Sequence, residues 1–114
     1  MEIYFYPPGD DDFNTFSYIC DLTEKQRRIL FKGLQTIEQL GFSNGKKTQS
    51  IKSLNKKEKI YEFIIGNHRL LFCVIRKKCW VLHGFLKKSQ KTNKRDIQTA
   101  INLKYKLLNL LNKE

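Results

Sequence analysis

Residues 60–86 read IYEFIIGNHRLLFCVIRKKCWVLHGFL and set the architecture of the chain. This stretch contains three β-rich runs, at 60–65, 69–76 and 79–86. Gly66-Asn67 is a favourable hairpin turn between the first two runs, and Lys77-Lys78 turns the chain between the last two. Three consecutive strands joined by tight turns predict an antiparallel meander.

The segments before the meander predict one strand and two helices. Residues 2–6 form a short strand that Pro7-Pro8-Gly9 stops, and the acidic residues 10–12 suit the first turn of a helix. A second helix begins at the capping-box sequence Thr23-Glu24-Lys25-Gln26 and ends at Gly41. Its apolar stripe consists of Leu30, Leu34 and Ile37. The two helices are predicted to form a hairpin.

The remaining segments complete an α+β fold. Residues 43–49 are predicted to be a polar connection, and residues 50–54 a further strand. Asn93 caps a final helix whose apolar side chains recur at helical spacing from Ile97 to Leu111. The predicted order is β-α-α-β-β-β-β-α in one domain over residues 1–114. The antiparallel meander is packed by an N-terminal helical hairpin and a C-terminal helix.

Positive charge is concentrated after residue 24. The formal net charge is +11, residues 1–24 carry six acids and no base, and all 22 lysines and arginines follow. Such a surface attracts polyanions, of which nucleic acid is the most common; a solubility surface is the alternative. The basic clusters are Lys46-Lys47, Lys52 with Lys56, Lys57 and Lys59, Arg76-Lys77-Lys78, and Lys87-Lys88 with Lys91, Lys94 and Arg95.

Several other classes of protein are not supported by the sequence. No apolar run has the length of a membrane span, and the acidic N-terminus is unlike a secretory signal or transit peptide. The expected location is therefore the cytoplasm. The spacing of Cys20, Cys73 and Cys79 does not match a zinc site, and the last two are expected to be core residues. No metal or cofactor is predicted.

Arg69 and His83 stand out because they interrupt apolar strands. Arg69 must face solvent, pair with a carboxylate such as Glu62 across the hairpin, or bind an anion such as phosphate. His83 is either a hydrogen-bonded structural residue or a proton donor or acceptor. Gly84 allows the close approach of another backbone or a ligand, and Phe85 either packs in the core or stacks on a base.

The sequence NHRLLFCV at 67–74, followed by WVLHGFLKKSQKT at 80–92, resembles the phage-derived HigB-like branch of the RelE/ParE toxin superfamily. Those proteins carry a Tyr-Arg or His-Arg pair at the start of one strand. Their next strand ends in Leu-His-Gly-Phe, two lysines and Gln-Lys-Thr. The order of elements is also that of the RelE fold, so the resemblance covers nearly the whole chain.

The resemblance implies a ribosome-dependent endoribonuclease that cuts mRNA and is held inactive by a cognate antitoxin, in many cases of helix-turn-helix type. The ribose 2′-hydroxyl attacks the adjacent phosphate without a metal, which requires positive charge, a proton acceptor and a proton donor. By the same resemblance Arg69 binds the phosphate, His83 transfers a proton and Lys87 contributes charge at the catalytic site. The RNA-binding residues are predicted to be Lys52, Lys56, Lys57, Phe85, Lys88 and Lys91.

Two departures from the family pattern leave alternatives open. Relatives carry Arg or Lys in the strand position that Ile64 occupies here, and some open the final helix with proline in place of Asn93. Either Lys52 or Lys57 replaces the missing charge, or cleavage is lost and the protein only binds its antitoxin or RNA. A third alternative is a ParE-like gyrase inhibitor, against which the run of residues 83–88 argues.

Overall fold

The computed structural model describes residues 1–6, 15–87 and 92–113. The elements in these ranges are β1 Glu2–Phe5, α1 Thr15–Cys20, α2 Glu24–Leu40, α3 Phe42–Lys47, β2 Ile51–Asn55, β3 Ile60–Ile65, β4 His68–Ile75, β5 Lys78–Leu86 and α4 Lys94–Asn112. The predicted α+β class is confirmed, and the structure adds one short helix, α3. The predicted helix start at residues 10–12 lies outside the described residues.

The strands form one five-stranded sheet in the order β1-β5-β4-β3-β2. Strands β2 to β5 pair antiparallel in sequence order, which confirms the predicted meander. Strand β1 adds parallel to β5 at the edge of the sheet, so the sheet is mixed. A parallel neighbour needs a crossover connection, because a tight turn cannot join strands that run in the same direction.

The sheet separates two hydrophobic cores. One face packs against α2, where Leu30, Leu34 and Ile37 are buried as predicted. The other face packs against α4, and Ala100 and Leu107 contribute the most deeply buried helix side chains there. The expected core cysteines lie on opposite faces, Cys73 towards α4 and Cys79 towards α2. Burial raises their pKa to about 11 and about 12, so both remain uncharged thiols at neutral pH.

The helix boundaries follow the predicted capping chemistry. Thr23 and Gln26 form the reciprocal capping box of α2, and the Asn93 side chain accepts the Arg95 N–H at the start of α4.

Within the described residues, no helix combines the length and apolarity needed to cross a membrane.

The predicted polar connection over 43–49 is wrong, because α3 occupies most of it. Gly41 has a φ of 81°, which ends α2 and lets the chain restart as a helix in a new direction. The Phe42 ring then packs edge-on against Tyr61 and Phe72 of the sheet. This aromatic contact, together with buried Gly45 against Ile51, fixes a segment that is otherwise polar.

Candidate functional site

A row of side chains crosses the α4 face of the sheet. Lys52 on β2 is paired with Glu62 on β3, Glu62 with Leu71 on β4, and Leu71 with His83 on β5. Directly paired residues point to the same face, and Leu71 belongs to the core under α4. Lys52, Glu62 and His83 therefore share the α4 face.

A bulge in β5 determines the side to which His83 points. Leu71 pairs with His83 but Phe72 pairs with Val81, so Leu82 is an extra residue in β5. Val81 packs in the α2 core, and strict alternation from it would place His83 on that same side. The extra residue turns His83 to the α4 face, an arrangement that β-bulges often provide at functional sites.

A second row lies two residues nearer the Gly66-Asn67 turn. Arg69 on β4 is paired with Ile64 on β3 and with Phe85 on β5. The Lys87 N–H donates to the Asn67 carbonyl at 2.8 Å and so continues the ladder between β4 and β5. Alternation therefore places exposed Lys87 on the same face as Phe85.

Arg69 is held at the start of β4, the central strand, by backbone and carboxylate groups. Its Nη1 donates to the carbonyls of Gly66 at 2.7 Å and His68 at 2.9 Å, and its Nε lies 3.8 Å from Glu62 Oε1. The ion pair predicted across the hairpin is therefore present. Arg69 is only 8% exposed. Within the described part of the chain its Nη2 has no hydrogen-bond partner, which leaves two N–H groups for an anion.

Glu62 joins the strands to the start of α4. Its side chain is buried, and its Oε2 accepts a hydrogen bond from the Thr92 hydroxyl at 2.5 Å. Thr92 directly precedes the cap of α4, so this contact fixes where the helix begins over the sheet. The role of Thr92 was not predictable from sequence, because the partner of a lone threonine depends on packing.

His83 forms a pair with Asp96 in the first turn of α4. His83 Nε2 and Asp96 Oδ1 are 2.8 Å apart, and both side chains are mostly shielded from solvent. His83 Nδ1 is buried and has no hydrogen-bond partner among the described residues. A carboxylate in this position orients an imidazole. In sequence, Asp96 is recognisable only as a residue near a helix cap.

The lysines predicted to bind RNA divide between the two ends of the sheet. Exposed Lys52 lies in the row with Glu62, whereas Lys56 and Lys57 lie in the turn at the far end of β3. At about 3.3 Å per residue, β3 alone separates that turn from the Arg69 row by roughly 16 Å. Of the two lysines proposed to replace the charge missing at Ile64, only Lys52 lies beside it. Lys88 and Lys91 are outside the described residues.

Gly84 and His68 contact Tyr18 on the opposite face of the sheet. The Tyr18 hydroxyl lies 2.5 Å from His68 Nδ1, and a Cβ on Gly84 would come within 2.8 Å of the Tyr18 ring. Gly84 therefore makes room for the Tyr18 ring of the same chain. The sequence had predicted the close approach of another backbone or a ligand at this position. Since the His68 carbonyl accepts from Arg69, this contact supports the strand end that positions Arg69.

Gly84→Ala is expected to lower the free energy of unfolding by about 1–3 kcal/mol, because the added methyl overpacks the space between Tyr18 and Leu70. Urea denaturation measures the loss. In a Tyr18→Ala background the same change should cost less, since one of the two obstructing side chains is gone. An equal loss in both backgrounds would contradict the assigned contact.

Protonation of His68 is expected to destabilise the fold. Burial, together with the neighbouring Arg69 charge, lowers the pKa of His68 below its usual 6.5. As pH falls below about 6.5 the unfolded chain binds this proton before the folded protein does, so the free energy of unfolding decreases. Urea midpoints between pH 8 and 5.5 should show the decline, and His68→Gln should flatten it. An unchanged slope in His68→Gln would contradict this assignment.

Two comparisons complete the description of the site. A family model described as Phage derived protein Gp49-like (DUF891) matches residues 17–105. The matched segment runs from α1 into α4 and includes both rows of side chains. No curated protein matches the sequence.

Among the described residues, no group of three or more His, Cys, Asp or Glu side chains is arranged to hold a metal ion.

Proposed function

Because the chain belongs to the phage-derived Gp49-like family, a RelE-like toxin family, we propose that it is a ribosome-dependent mRNA endoribonuclease of the HigB-like branch. A toxin of this kind has an antitoxin partner, which we propose to be of helix-turn-helix type. The observation that supports cleavage is the convergence of Arg69, Lys52 and the His83–Asp96 pair on the α4 face, beside the start of α4.

The phosphate is bound by cations of both rows. Arg69 presents Nη2, while its Nη1 donates to backbone carbonyls and its Nε faces the Glu62 carboxylate. Lys52 approaches from the edge strand and Lys87 from the end of β5. Charge held on strands stabilises the developing negative charge with little reorganisation, which is the main requirement of this reaction.

His83 carries out one of the two proton transfers. The ribose 2′-oxygen forms a bond to phosphorus as the bond to the 5′-oxygen breaks, giving a 2′,3′-cyclic phosphate and a 5′-hydroxyl. Because Nε2 is bound to Asp96 and Nδ1 is buried, the imidazole turns on binding of RNA to present one of its nitrogens to the reacting oxygen. The Phe85 ring, 5.8 Å from the His83 ring, offers a surface on which a base stacks.

Cleavage of mRNA on programmed ribosomes, compared with ribosome-free RNA, tests this proposal. We expect cleavage only with ribosomes, and a loss of about tenfold or more in Arg69→Lys, because lysine keeps the charge but lacks the guanidinium fork. Arg28→Lys, an exposed position on α2, is the matched control and should retain full activity. Equal activity of the two variants would contradict the role of Arg69.

A second candidate function is antitoxin binding without cleavage. Ile64 favours it, because an aliphatic side chain occupies the position beside Arg69 where relatives carry a cation. Under this alternative the folded wild type leaves mRNA intact on ribosomes and still binds its antitoxin. The ribosome assay therefore distinguishes the two functions directly.

A further inference from the structure

A second groove lies on the α2 face of the sheet, away from the rows around Arg69. Its volume is about 480 Å³, within the range of small-ligand sites. It is lined by Met1, Phe42, Lys59, Tyr61, Val74, Lys77 and Cys79 and is called here the aromatic–lysine groove. Tyr61 pairs with Phe72 of the α2 core, and Val74 pairs with Cys79, which places the groove on this face.

The groove is bordered by aromatic rings. Phe42 and Tyr61 meet edge to face with their centroids 5.0 Å apart, and Tyr61 leans on Phe72 beneath it. Both rings of the Phe42–Tyr61 pair are only partly buried, and Val74 beside them is 43% exposed. Tyr61, supported from below by Phe72, provides a stacking surface for a planar ligand when the flexible Lys46 side chain, whose Nζ lies over both rings, moves aside.

Three lysines from separate elements border these rings. Lys46 of α3 places its Nζ 4.9 Å from the Phe42 centroid and 5.2 Å from the Tyr61 centroid. Lys59 and Lys77 come from the turns after β2 and β4. Within residues 1–6, 15–87 and 92–113, none of the three has a carboxylate partner, since the ion pairs found there involve other side chains.

The backbone at Lys59 and Lys77 adds an independent observation. Their φ angles are 55° and 63°, in the left-handed region where Gly or Asn is the usual residue. Arg76 beside Lys77 has a φ of 55° as well, as a tight two-residue hairpin turn requires. The turns therefore hold both lysines at defined positions beside the groove.

We propose that the aromatic–lysine groove binds a nucleotide of single-stranded RNA outside the cleavage site. A base stacks on one ring of the perpendicular Phe42–Tyr61 pair beside the other ring, and the flanking phosphates contact Lys59 and Lys77. Stacking rings beside unpaired cations are the features by which proteins hold single strands without reading sequence. This goes beyond the proposed cleavage and does not depend on it, because binding at this groove requires none of the residues around His83.

Titration of the ¹⁵N-labelled protein with the dinucleotide pApA, followed by NMR, tests this proposal. Amide shifts are expected at Phe42, Lys59, Tyr61 and Lys77. Inorganic phosphate, titrated in parallel, should move Lys59 and Lys77 but leave Tyr61 in place. Shifts confined to Arg69, His83 and Phe85, or identical shifts with phosphate and pApA, would overturn the proposal. Absence of pApA binding at the groove would not contradict ribosome-dependent cleavage. Absence of cleavage would likewise not contradict binding at the groove.

The double variant Lys59→Asn/Lys77→Asn removes both charges without straining the turns, because asparagine tolerates left-handed φ. We expect pApA binding at the groove to weaken about tenfold and to become less dependent on salt. Lys25→Gln/Lys32→Gln, which removes two exposed charges from α2, is the matched control and should retain binding. Equal weakening in the two double variants would show general charge attraction and overturn the assignment of the groove.

Discussion

Replacing His83 by glutamine is expected to lower the rate of mRNA cleavage about 10²–10⁴-fold, the usual contribution of a positioned acid or base. Glutamine retains a polar side chain opposite Asp96 but cannot exchange a proton at neutral pH. The measurement is single-turnover cleavage on programmed ribosomes, with thermal unfolding confirming that the variant is folded. Full activity in a folded His83→Gln protein would exclude His83 from the chemistry.

Asp96→Asn separates proton transfer from simple packing. Asparagine keeps the size and a hydrogen bond to His83 Nε2 but removes the carboxylate that orients the ring. Cleavage by the folded variant should therefore be slower by about tenfold or more, because the imidazole is held less well for proton transfer. A purely structural Asp96 would change the unfolding temperature and leave the cleavage rate of the folded variant in place.

Removing the Glu62 carboxylate is expected to produce the largest loss of stability. Glu62 is 3% exposed and faces Arg69, which is itself buried, so Glu62→Ala leaves a buried cation without its counter-charge. Breaking such a pair from one side costs about 3–5 kcal/mol. Urea denaturation of the variant and the wild type measures the difference.

Two companion variants locate the origin of that loss. Thr92→Val removes only the hydroxyl that donates to Glu62 and should cost less, about 1–2 kcal/mol. Glu62→Gln keeps an acceptor for Thr92 and should fall between the two. If Glu62→Ala were no less stable than Thr92→Val, the ion pair with Arg69 would contribute nothing to the fold.

The elements that were predictable from sequence depend on local chemistry. The Gly66-Asn67 turn, the capping box at Thr23 and the Asn93 cap each act over a few residues, so their patterns are visible in the chain. The short helix α3 was missed because tertiary contacts hold it, namely Phe42 on Tyr61 and Gly45 against Ile51. The parallel pairing of β1 with β5 has no local signature either.

The candidate site also combines features that were predictable from local sequence with features that depend on tertiary packing. The types of residue at Arg69 and His83 were evident, and hairpin geometry offered the Glu62 ion pair as one of the alternatives for Arg69. The side to which His83 points was not predictable, because the bulge at Leu82 reverses the strand alternation. Asp96 enters the site only through the placement of α4 over the sheet. From sequence, Lys52 and Lys57 were equal candidates to replace the charge missing at Ile64. Only the strand register shows that Lys52 is the nearer of the two.

The central claim is that the rows on the α4 face cut mRNA through its own 2′-hydroxyl. The most direct measurement compares two mRNAs on ribosomes with wild-type protein: one all-ribose, the other carrying a single 2′-deoxynucleotide at the mapped cleavage position. We predict a 2′,3′-cyclic phosphate and a 5′-hydroxyl from the first mRNA and no cleavage at that position in the second. Intact all-ribose mRNA, or equal cleavage of both mRNAs, would contradict the claim.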